Sequence, residues 1–592
     1  MRLITALRVV IAALLIAFAV VLFLSFGKKE EDAVRIRLSP PSTPAGEQVV
    51  DLSENFAITG TKGGRESFRL QAEQVTGFVG DKKQLRRVRL EVFGEDGDRL
   101  SLSGETGQFD MADKRAQLSG EVKVEGKNGF TLTAPSLYFD GDRDMLFTPD
   151  LIAFQSRGLH GTGRGLNYLT RDRSFKIPAE VRVSVEPTEP GADPVEISSS
   201  DMSMSLDEND VVFNDSVRLL RGKESFSGNY LKVTMDKDRR RLIAVKAFGQ
   251  VQATVLSGKQ STPATFQADS LLAGFLPDGR SVEKVEAHGA CKLESSGIQG
   301  TGDTIMADVP QDRIGLRGEP VVLDSRSRIT GQEIDLFPGR RGLEARGDVK
   351  TSFQPTGTTP KNASGSYFSQ REPIFFQSHR LSVEDGGDIA RFSGSVRGWQ
   401  GDDSLQAEEV VLRFAEKGMR AYRNVLCRFT ARPNGADAGA AATPPTLIVA
   451  SAMEYTEAEG VVHFRDSVKL TRQSSTVLSE RMHVSLSDGS LGRRKINQVL
   501  AEGEVRFNHL TNSGKSDRLV FIPDQDLAEM QQDAGLAEVV DRTSGRTLRG
   551  KTLRFDMKGN RVLTENSDGG RTWITLNPKE KDTPALEPKI RH

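Results

Sequence analysis

Apolar and polar residues alternate in short runs along most of the chain, and Ser225–Val255 shows this pattern clearly. Its first part has a small residue, Gly228, followed by apolar residues at every second position: Leu231, Val233 and Met235. After the charged stretch Asp236–Arg241 the alternation resumes at Ile243, Val245, Ala247, Gly249 and Val251. A period of two is typical of a strand with one buried face. The pattern predicts a hairpin.

Two short motifs repeat this hairpin pattern along the chain. The first is a small residue, two spacers and an apolar-x-apolar pair, and its small residues are Gly104, Ala134, Gly228, Gly331, Ala407, Ser451, Ser479 and Gly550. The second is Gly or Asp, one spacer and Val, and it begins at Gly120, Asp215, Gly249, Gly347, Gly394, Asp466 and Gly503, with Gly289 taking the same place before Cys291. Such recurrence, at roughly 30–45 residues, is typical of stacked repeats. The glycines fit bulges or tight corners.

Length and composition favour a repeat array rather than several globular cores, and they exclude some functions. At 592 residues the chain is too long for one core, since cores stop growing at roughly 250–300 residues. With 80 basic and 81 acidic residues it lacks the basic excess of a nucleic-acid binder, so no nucleic-acid partner is expected. Cys291 and Cys427 are too few and too far apart for a disulfide framework or a zinc site, and we expect both to be unpaired strand residues.

The N-terminus carries an apolar run, Val9–Phe26, of about the minimum length for a membrane-spanning helix. Arg2 and Arg8 precede it, which predicts a cytoplasmic end at residues 1–8 and a transmembrane helix at 9–26. A cleaved signal peptide is the alternative, but the run exceeds the usual apolar region of such peptides. In either case we expect the bulk of the chain to be exported.

Composition shifts divide the rest of the chain into segments. Residues 27–48 are rich in proline and charge and predict an extended tether. Breaks at Glu186–Asp193, Gln354–Pro373 and Arg432–Pro445 are loops or hinges, and Pro523–Glu538 reads as a partly helical insertion. The predicted β segments are 49–186, 194–353, 374–431 and 446–577, followed by a disordered tail at 578–592.

No catalytic or cofactor motif stands out, so we expect neither an enzyme nor a cofactor. The seven histidines lack metal-ligand spacing, and His463 and His483 read as ordinary strand residues. Gly161–Gly165 has no lysine and opens no helix, which argues against a phosphate loop. A carboxylate pair for glycoside hydrolysis stays open, although no pair is singled out.

The informative feature is the apolar face of the repeats. The candidate lipid-groove residues are Phe68, Leu70, Val88, Leu90, Val92, Val122, Val124, Phe130, Leu132, Leu137, Phe139, Leu231, Val233, Val251, Leu412 and Phe414. One interpretation is a closed core. The other is a trough between two sheets, in which each buried methylene of a lipid contributes about 0.8 kcal/mol. Composition alone does not separate the two.

The anchor and the repeats together resemble the lipopolysaccharide-transport bridge proteins. Residues 1 to 186 resemble LptC, most tellingly in Gly129–Tyr168, GFTLTAPSLYFDGDRDMLFTPDLIAFQSRGLHGTGRGLNY. The rest, to Asn577, resembles repeated LptA/OstA-like domains. LptC-like proteins have one such domain, whereas this chain has three or more, so it would combine the LptC role with part or all of the bridge.

The resemblance implies an all-β fold, an elongated, twisted, open β-jellyroll or "β-taco" stack of hairpins behind one N-terminal transmembrane helix. It implies an inner-membrane, single-pass, largely periplasmic protein that carries lipid A acyl chains without enzymatic activity. The implied partners are lipopolysaccharide or a related lipid, inner-membrane ABC transporter subunits, and other bridge or outer-membrane assembly proteins joined by end-to-end β-strand addition. Two alternatives remain: a closed structural or adhesive solenoid, and a bridge for phospholipid or another glycolipid.

Overall fold

The fold is known from a computed structural model that describes most of the chain after residue 48. The described residues are 49–94, 99–126, 129–156, 159–186, 193–205, 208–236, 241–256, 263–278, 281–295, 297–354, 372–430, 445–488, 494–563 and 573–576. The predicted transmembrane helix at 9–26, the tether and the tail lie outside these residues. So do most of the three predicted breaks.

The chain divides into two compact units, each of which is built from antiparallel strands. Unit 1 is Met1–Gly318 with Phe337–Gly339, and unit 2 is Glu319–Leu336 with Arg340–His592. The strands up to Gly318 are β1 Val49–Lys62, β2 Arg65–Phe78, β3 Lys82–Phe93, β4 Arg99–Asp110, β5 Arg115–Glu125, β6 Thr131–Asp140, β7 Met145–Ser156, β8 Leu159–Leu169, β9 Ser174–Ile177, β10 Ala179–Val185, β11 Val195–Ser199, β12 Asp201–Ser205, β13 Asp210–Arg221, β14 Glu224–Met235, β15 Leu242–Leu256, β16 Pro263–Phe275, β17 Val282–Ser295, β18 Ile298–Asp308 and β19 Arg313–Arg317.

The strands after Gly318 follow the same pattern, with two short 3₁₀ turns at Asp385–Gly387 and Pro523–Gln525. They are β20 Val321–Leu323, β21 Ser327–Thr330, β22 Glu333–Phe337, β23 Gly342–Phe353, β24 Ile374–Glu384, β25 Ile389–Gln400, β26 Asp403–Arg413, β27 Gly418–Phe429, β28 Thr446–Thr456, β29 Val461–Arg472, β30 Ser475–Asp488, β31 Arg494–His509, β32 Asn512–Ile522, β33 Leu527–Gln531, β34 Ala537–Asp541, β35 Arg546–Gly550, β36 Thr552–Asp556, β37 Arg561–Leu563 and β38 Trp573–Leu576.

The hairpin predicted at Ser225–Val255 is confirmed as the antiparallel pair β14–β15, in which Leu231 lies opposite Ala247 and Val233 opposite Val245. One position differs. Thr234 pairs with Ala244 and Met235 with Leu242, so Ile243 is the extra residue of a β-bulge. Its side chain is 50 % exposed and Leu242 is buried in its place. The simple alternation therefore assigned Ile243 to the wrong face.

The predicted corners coincide with paired left-handed residues inside the long strands. At the second motif both Gly249 (φ 83°) and Gln250 (φ 54°) have positive φ, and the strand register shifts there. The same pair of conformations occurs at Gly120, Gly289, Gly347, Gly394 and Gly503 with the residue after each, and at Asp215–Ser216 and Asp466–Ser467. Two consecutive left-handed residues turn the chain sharply, and glycine adopts this conformation at no steric cost. Each such strand is therefore bent in its middle.

The bend gives every unit two half-sheets that share one apolar interior. We call half-sheet A the layer that includes residues 99–103 of β4 and its neighbours, and half-sheet B the layer that includes residues 106–110 and its neighbours. The ring of Phe68 in half-sheet A contacts Phe109 and Phe139 in half-sheet B, at centroid distances of 6.2 and 5.2 Å. The two layers thus face each other.

We expect Gly120→Val to destabilise unit 1 by about 1–3 kcal/mol, because a non-glycine residue is strained at this backbone conformation. At φ 81° an added Cβ would also lie 2.8 Å from the Cβ of Glu105. Hydrogen exchange of the β4–β6 amides measures the loss. The matched control is Gly274→Val, where a Cβ meets no atom within 4 Å. Equal protection in the two variants would contradict the assigned role of the corner.

The segment Pro523–Glu538, predicted to be a partly helical insertion, is helical only at its start and otherwise belongs to the strand array. Only Pro523–Gln525 forms a 3₁₀ turn, and the next residues form β33, which pairs with β32 and with β36. Ala528 and Met530 of β33 are buried at alternate positions. The segment is therefore a short strand of the array whose period of two was too brief to recognise.

Candidate functional site

The candidate site of each unit is its apolar interior, and most predicted groove residues lie in it. Those in half-sheet A that are at most 4 % exposed are Phe68, Leu70, Val88, Leu90, Val92, Val122, Val124, Leu132 and Val251. Those in half-sheet B with the same burial are Leu137, Phe139, Leu231 and Val233. The structure thus brings together residues that lie far apart in sequence. Their side chains pack against one another in the described interior.

Three predicted residues lie at the border of the interior. Phe130 is half-buried in the connection before β6, and Leu412 is 7 % exposed near the end of β26. Phe414 departs from the inward expectation, since its side chain is 45 % exposed. It follows the last residue of β26, and its backbone N–H donates to the Asp388 carbonyl in a turn. The period of two ends before it, which explains the difference.

Aromatic contacts hold the half-sheets together along the side opposite the corners, which we call the mouth. In unit 1 the ring of Phe68 contacts Phe109 and Phe139, and Phe154 lies 6.3 Å from Phe175. In unit 2 the corresponding pairs are Phe353–Phe414 at 5.7 Å and Phe507–Phe555 at 5.3 Å. Each pair joins half-sheet A to half-sheet B with edge-to-face geometry, which aromatic rings favour. These contacts across the mouth are made by side chains.

Polar contacts also cross the mouth. In unit 1, Lys62 Nζ lies 2.7 Å from Asp144 Oδ2 and donates to the Asp142 carbonyl at 3.2 Å. In unit 2, Asn512 Nδ2 donates to Asn560 Oδ1 at 2.8 Å. An exposed ion pair of this kind contributes about 0–1 kcal/mol. The polar contacts therefore add little to the closure that the aromatic rings provide.

The interior of unit 1 is incompletely filled beside the mouth. An apolar cavity of about 70 Å³ lies between the half-sheets there. Leu100, Phe130, Tyr168 and Phe175 border it and are half-buried, whereas Leu132 behind them is buried. A cavity with apolar walls stays dry and accepts apolar ligands. This is the point at which the described interior of unit 1 comes nearest to an open groove.

The outer faces of the described strands carry ion pairs. Lys232, the outward neighbour of Leu231, lies 2.5 Å from Asp210 Oδ2, and this hydrogen bond raises the pKa of Lys232. In unit 2, Glu344 pairs with Arg346 of the same strand at 2.8 Å and with Arg380 of the neighbouring strand at 3.0 Å. These networks suit a solvated surface. The two faces of each strand are therefore chemically distinct.

Sequence spacing does not show that His463 and His483 are neighbours. They lie directly opposite on β29 and β30, with their Nδ1 atoms 2.6 Å apart, and burial together with the charge of His463 lowers the pKa of His483. His463 Nε2 contacts Glu459 at 2.8 Å. Within the described ranges, no three His, Cys, Asp or Glu side chains are placed to hold a metal ion. Cross-strand register is the signal that would have been needed.

Cys291 and Cys427 are buried strand residues, and neither forms a disulfide, as expected. Burial raises the pKa of the Cys291 thiol. Of the helices in the part of the chain that the structure describes, none combines the length and apolar character needed to span a bilayer.

Two family models match the chain. The model described as "Lipopolysaccharide-assembly, LptC-related" matches residues 12–186. The model described as "LptA/(LptD N-terminal domain) LPS transport protein" matches residues 196–338 and 447–561. No curated protein matches the chain.

Among solved structures, the chain is similar to LptH, the LptA homologous periplasmic component of the conserved lipopolysaccharide transport device from Pseudomonas aeruginosa. The match has 15 % sequence identity and a TM-score of 0.20, and it covers 23 % of this chain and 96 % of that one. The family models carry the assignment, and they agree with the resemblance seen in the sequence. The chain is an LptC- and LptA-like protein of the lipopolysaccharide-transport families.

Proposed function

We propose that this protein is a membrane-anchored periplasmic component of the lipopolysaccharide export bridge and that its apolar interior binds lipid A acyl chains. The observation that carries the proposal is the pairing of two apolar half-sheet faces in each unit across a mouth held by aromatic side chains. Each acyl methylene transferred into such an interior contributes about 0.8 kcal/mol. The proposal includes no enzymatic step.

Lipid binding requires the half-sheets to part, because the interior is closed in the described structure. Leu137 and Leu231 are fully buried by neighbouring side chains. The mouth is the side where parting costs least, since it breaks ring contacts worth about 0.5–1.5 kcal/mol per pair and leaves the backbone ladders intact. The cavity beside Phe130 is the natural starting point for an acyl chain in unit 1.

The proposal assigns the remaining parts of the chain as follows. Residues 9–26 anchor the protein in the inner membrane, and residues 49–186 form the LptC-like domain. The β segments at 194–353, 374–431 and 446–577 form the LptA/OstA-like bridge. An inner-membrane ABC transporter supplies the lipid, and further bridge or outer-membrane proteins join by strand addition. The matches at 12–186, 196–338 and 447–561 support this division.

We expect a small diazirine side chain at Leu137, Leu231 or Leu412 to capture lipopolysaccharide on irradiation, because these positions face the interior of their units. The matched control is the same group at Lys232, which lies on the outer face beside Asp210. Immunoblots with an antibody against the lipid measure the adducts. Capture from position 232 alone would refute lipid binding in the interior.

The near-complete burial of the interior also favours a second candidate, a closed structural solenoid. A closed solenoid predicts that no lipid copurifies with the full-length protein and that no interior position captures lipid. Mass spectrometry of copurified lipid separates these candidates. It also distinguishes lipopolysaccharide from phospholipid or another glycolipid.

A further inference from the structure

A row of polar side chains lines the interior at the mouth of unit 2, where apolar residues would be expected. Thr446, Arg472, Ser475, His509 and Asn512 lie side by side on β28–β32, each paired in register with the next. They are the last inward residues of half-sheet A before the chain turns. Four of them are at most 7 % exposed: Thr446, Ser475, His509 and Asn512. We call them the polar row.

The same position is largely apolar along β7–β11 of unit 1. There Ser156, Leu159, Val185 and Val195 are paired in register across β7, β8, β10 and β11. Leu159, Val185 and Val195 are at most 4 % exposed. A polar row is therefore no general requirement of the turn. The polar row is specified by the sequence of β28–β32.

His509 is a member of the row with unused hydrogen-bonding capacity. Its Nδ1 lies 2.8 Å from Ser475 Oγ, whereas its buried Nε2 has no hydrogen-bond partner among the described residues. The Met557 carbonyl lies near enough to favour the charged ring, but it accepts no hydrogen bond of good geometry from Nε2. A buried polar atom without a partner is costly, so a site of this kind is completed by a bound group.

The surroundings show which kind of group fits. Burial lowers the pKa of His509, so the ring is neutral at pH 7. One ring nitrogen then donates and the other accepts, and Nε2 offers one donor or one acceptor according to the tautomer. The ring lies between Phe507 at 6.4 Å and Phe555 at 5.6 Å, on the two sides of the mouth. Arg472 lies beyond Ser475 in the same row, and its guanidinium is 5.7 Å from the Phe521 ring. The site thus combines apolar rings, a neutral polar ring and a cation. A ligand that matches it has an apolar chain, a neutral polar group at the head of that chain and an anionic group beyond.

We propose that the polar row is a recognition site for the carbonyl or hydroxyl groups at the head of an acyl chain, with His509 as the residue that bonds to them. This rests on the proposed function, since it assumes that acyl chains occupy the interior of unit 2. It adds that unit 2 selects acyl linkages, and that a plain hydrocarbon chain is bound less well. His509 acts as a positioning residue that fixes how deeply the chain enters.

The test uses the full-length chain with a diazirine analogue of leucine at Leu519, which is fully buried in unit 2, or at Leu231 in unit 1. Purified lipopolysaccharide is the probe. His509→Leu should reduce capture from position 519 by about threefold to tenfold, the value of one hydrogen bond, and leave capture from position 231 unchanged. His509→Gln retains a donor and an acceptor and should restore capture. His379→Leu, an exposed position of unit 2, should change neither.

Three results would overturn the proposal. The first is unchanged capture at position 519 in His509→Leu. The second is a loss of thermal stability in lipid-free His509→Leu equal to that of a core cavity, because His509 would then be structural. The third is equal competition at position 519 by a diester phosphatidylglycerol and its dialkyl ether analogue, since only the ester has carbonyls. Absence of capture at both 519 and 231 in the unmodified background would instead refute lipid binding as such, and this inference with it.

Discussion

Phe68→Ala is expected to destabilise unit 1 by about 3–5 kcal/mol, the usual cost of removing a buried phenylalanine ring. Phe68 is 3 % exposed, and its ring contacts Phe109 and Phe139 from the opposite half-sheet. The substitution therefore removes an apolar side chain from the core and, at the same time, two contacts that cross the mouth.

The loss should be local, so the measurement must report on unit 1. Both tryptophans of the chain, Trp399 and Trp573, belong to unit 2, so unit 1 has no tryptophan to report on it. Hydrogen exchange of the β2–β6 amides reports on unit 1 instead. Phe248→Ala, measured at the amides of β14–β16 around it, is the control, because Phe248 is 42 % exposed and stacks on Tyr230 on the outer face. We expect Phe248→Ala to lower the free energy of unfolding by about 1 kcal/mol. Equal losses for the two variants would refute the role given to the mouth contacts.

The strands and corners follow from local sequence rules. A period of two identifies the buried face of each strand, and Gly-x-Val marks the left-handed corner because glycine tolerates positive φ. The corner rule holds at Gly249. The period of two fails at Ile243, where a bulge adds one residue and shifts the alternation. Bulges of this kind depend on how two strands pair. They carry no reliable signal within one strand.

The mouth and the polar row depend on contacts between distant residues, so the sequence did not predict them. Phe414 read as one more inward residue, but it lies in a turn and touches Phe353 from the other half-sheet. His509 and Ser475 are 34 positions apart and come together only through the register of β30 and β31. The same is true of His463 and His483. Candidate groove residues could be found from periodicity, whereas their arrangement required the strand register.

Joining the two sides of the mouth covalently should abolish lipid capture in unit 1. Lys62 and Asp144 lie on opposite sides of the mouth, and their side chains form an ion pair at 2.7 Å. We expect the double variant Lys62→Cys, Asp144→Cys, joined by a short bis-maleimide, to lower capture of lipopolysaccharide from position 137 by at least about tenfold. The physical reason is that Leu137 is 0 % exposed, so a chain reaches it only if the half-sheets separate.

The native thiols do not interfere with this experiment, because Cys291 and Cys427 are at most 1 % exposed. Two controls isolate the effect of the cross-link. The single variant Lys62→Cys with the same reagent carries the label without the link, and capture from position 412 reports on unit 2, which is not joined. Both should retain capture. If the linked protein captures lipid at position 137 as well as the single variant does, the mouth does not need to part, and the acyl chains must enter along the strand stack.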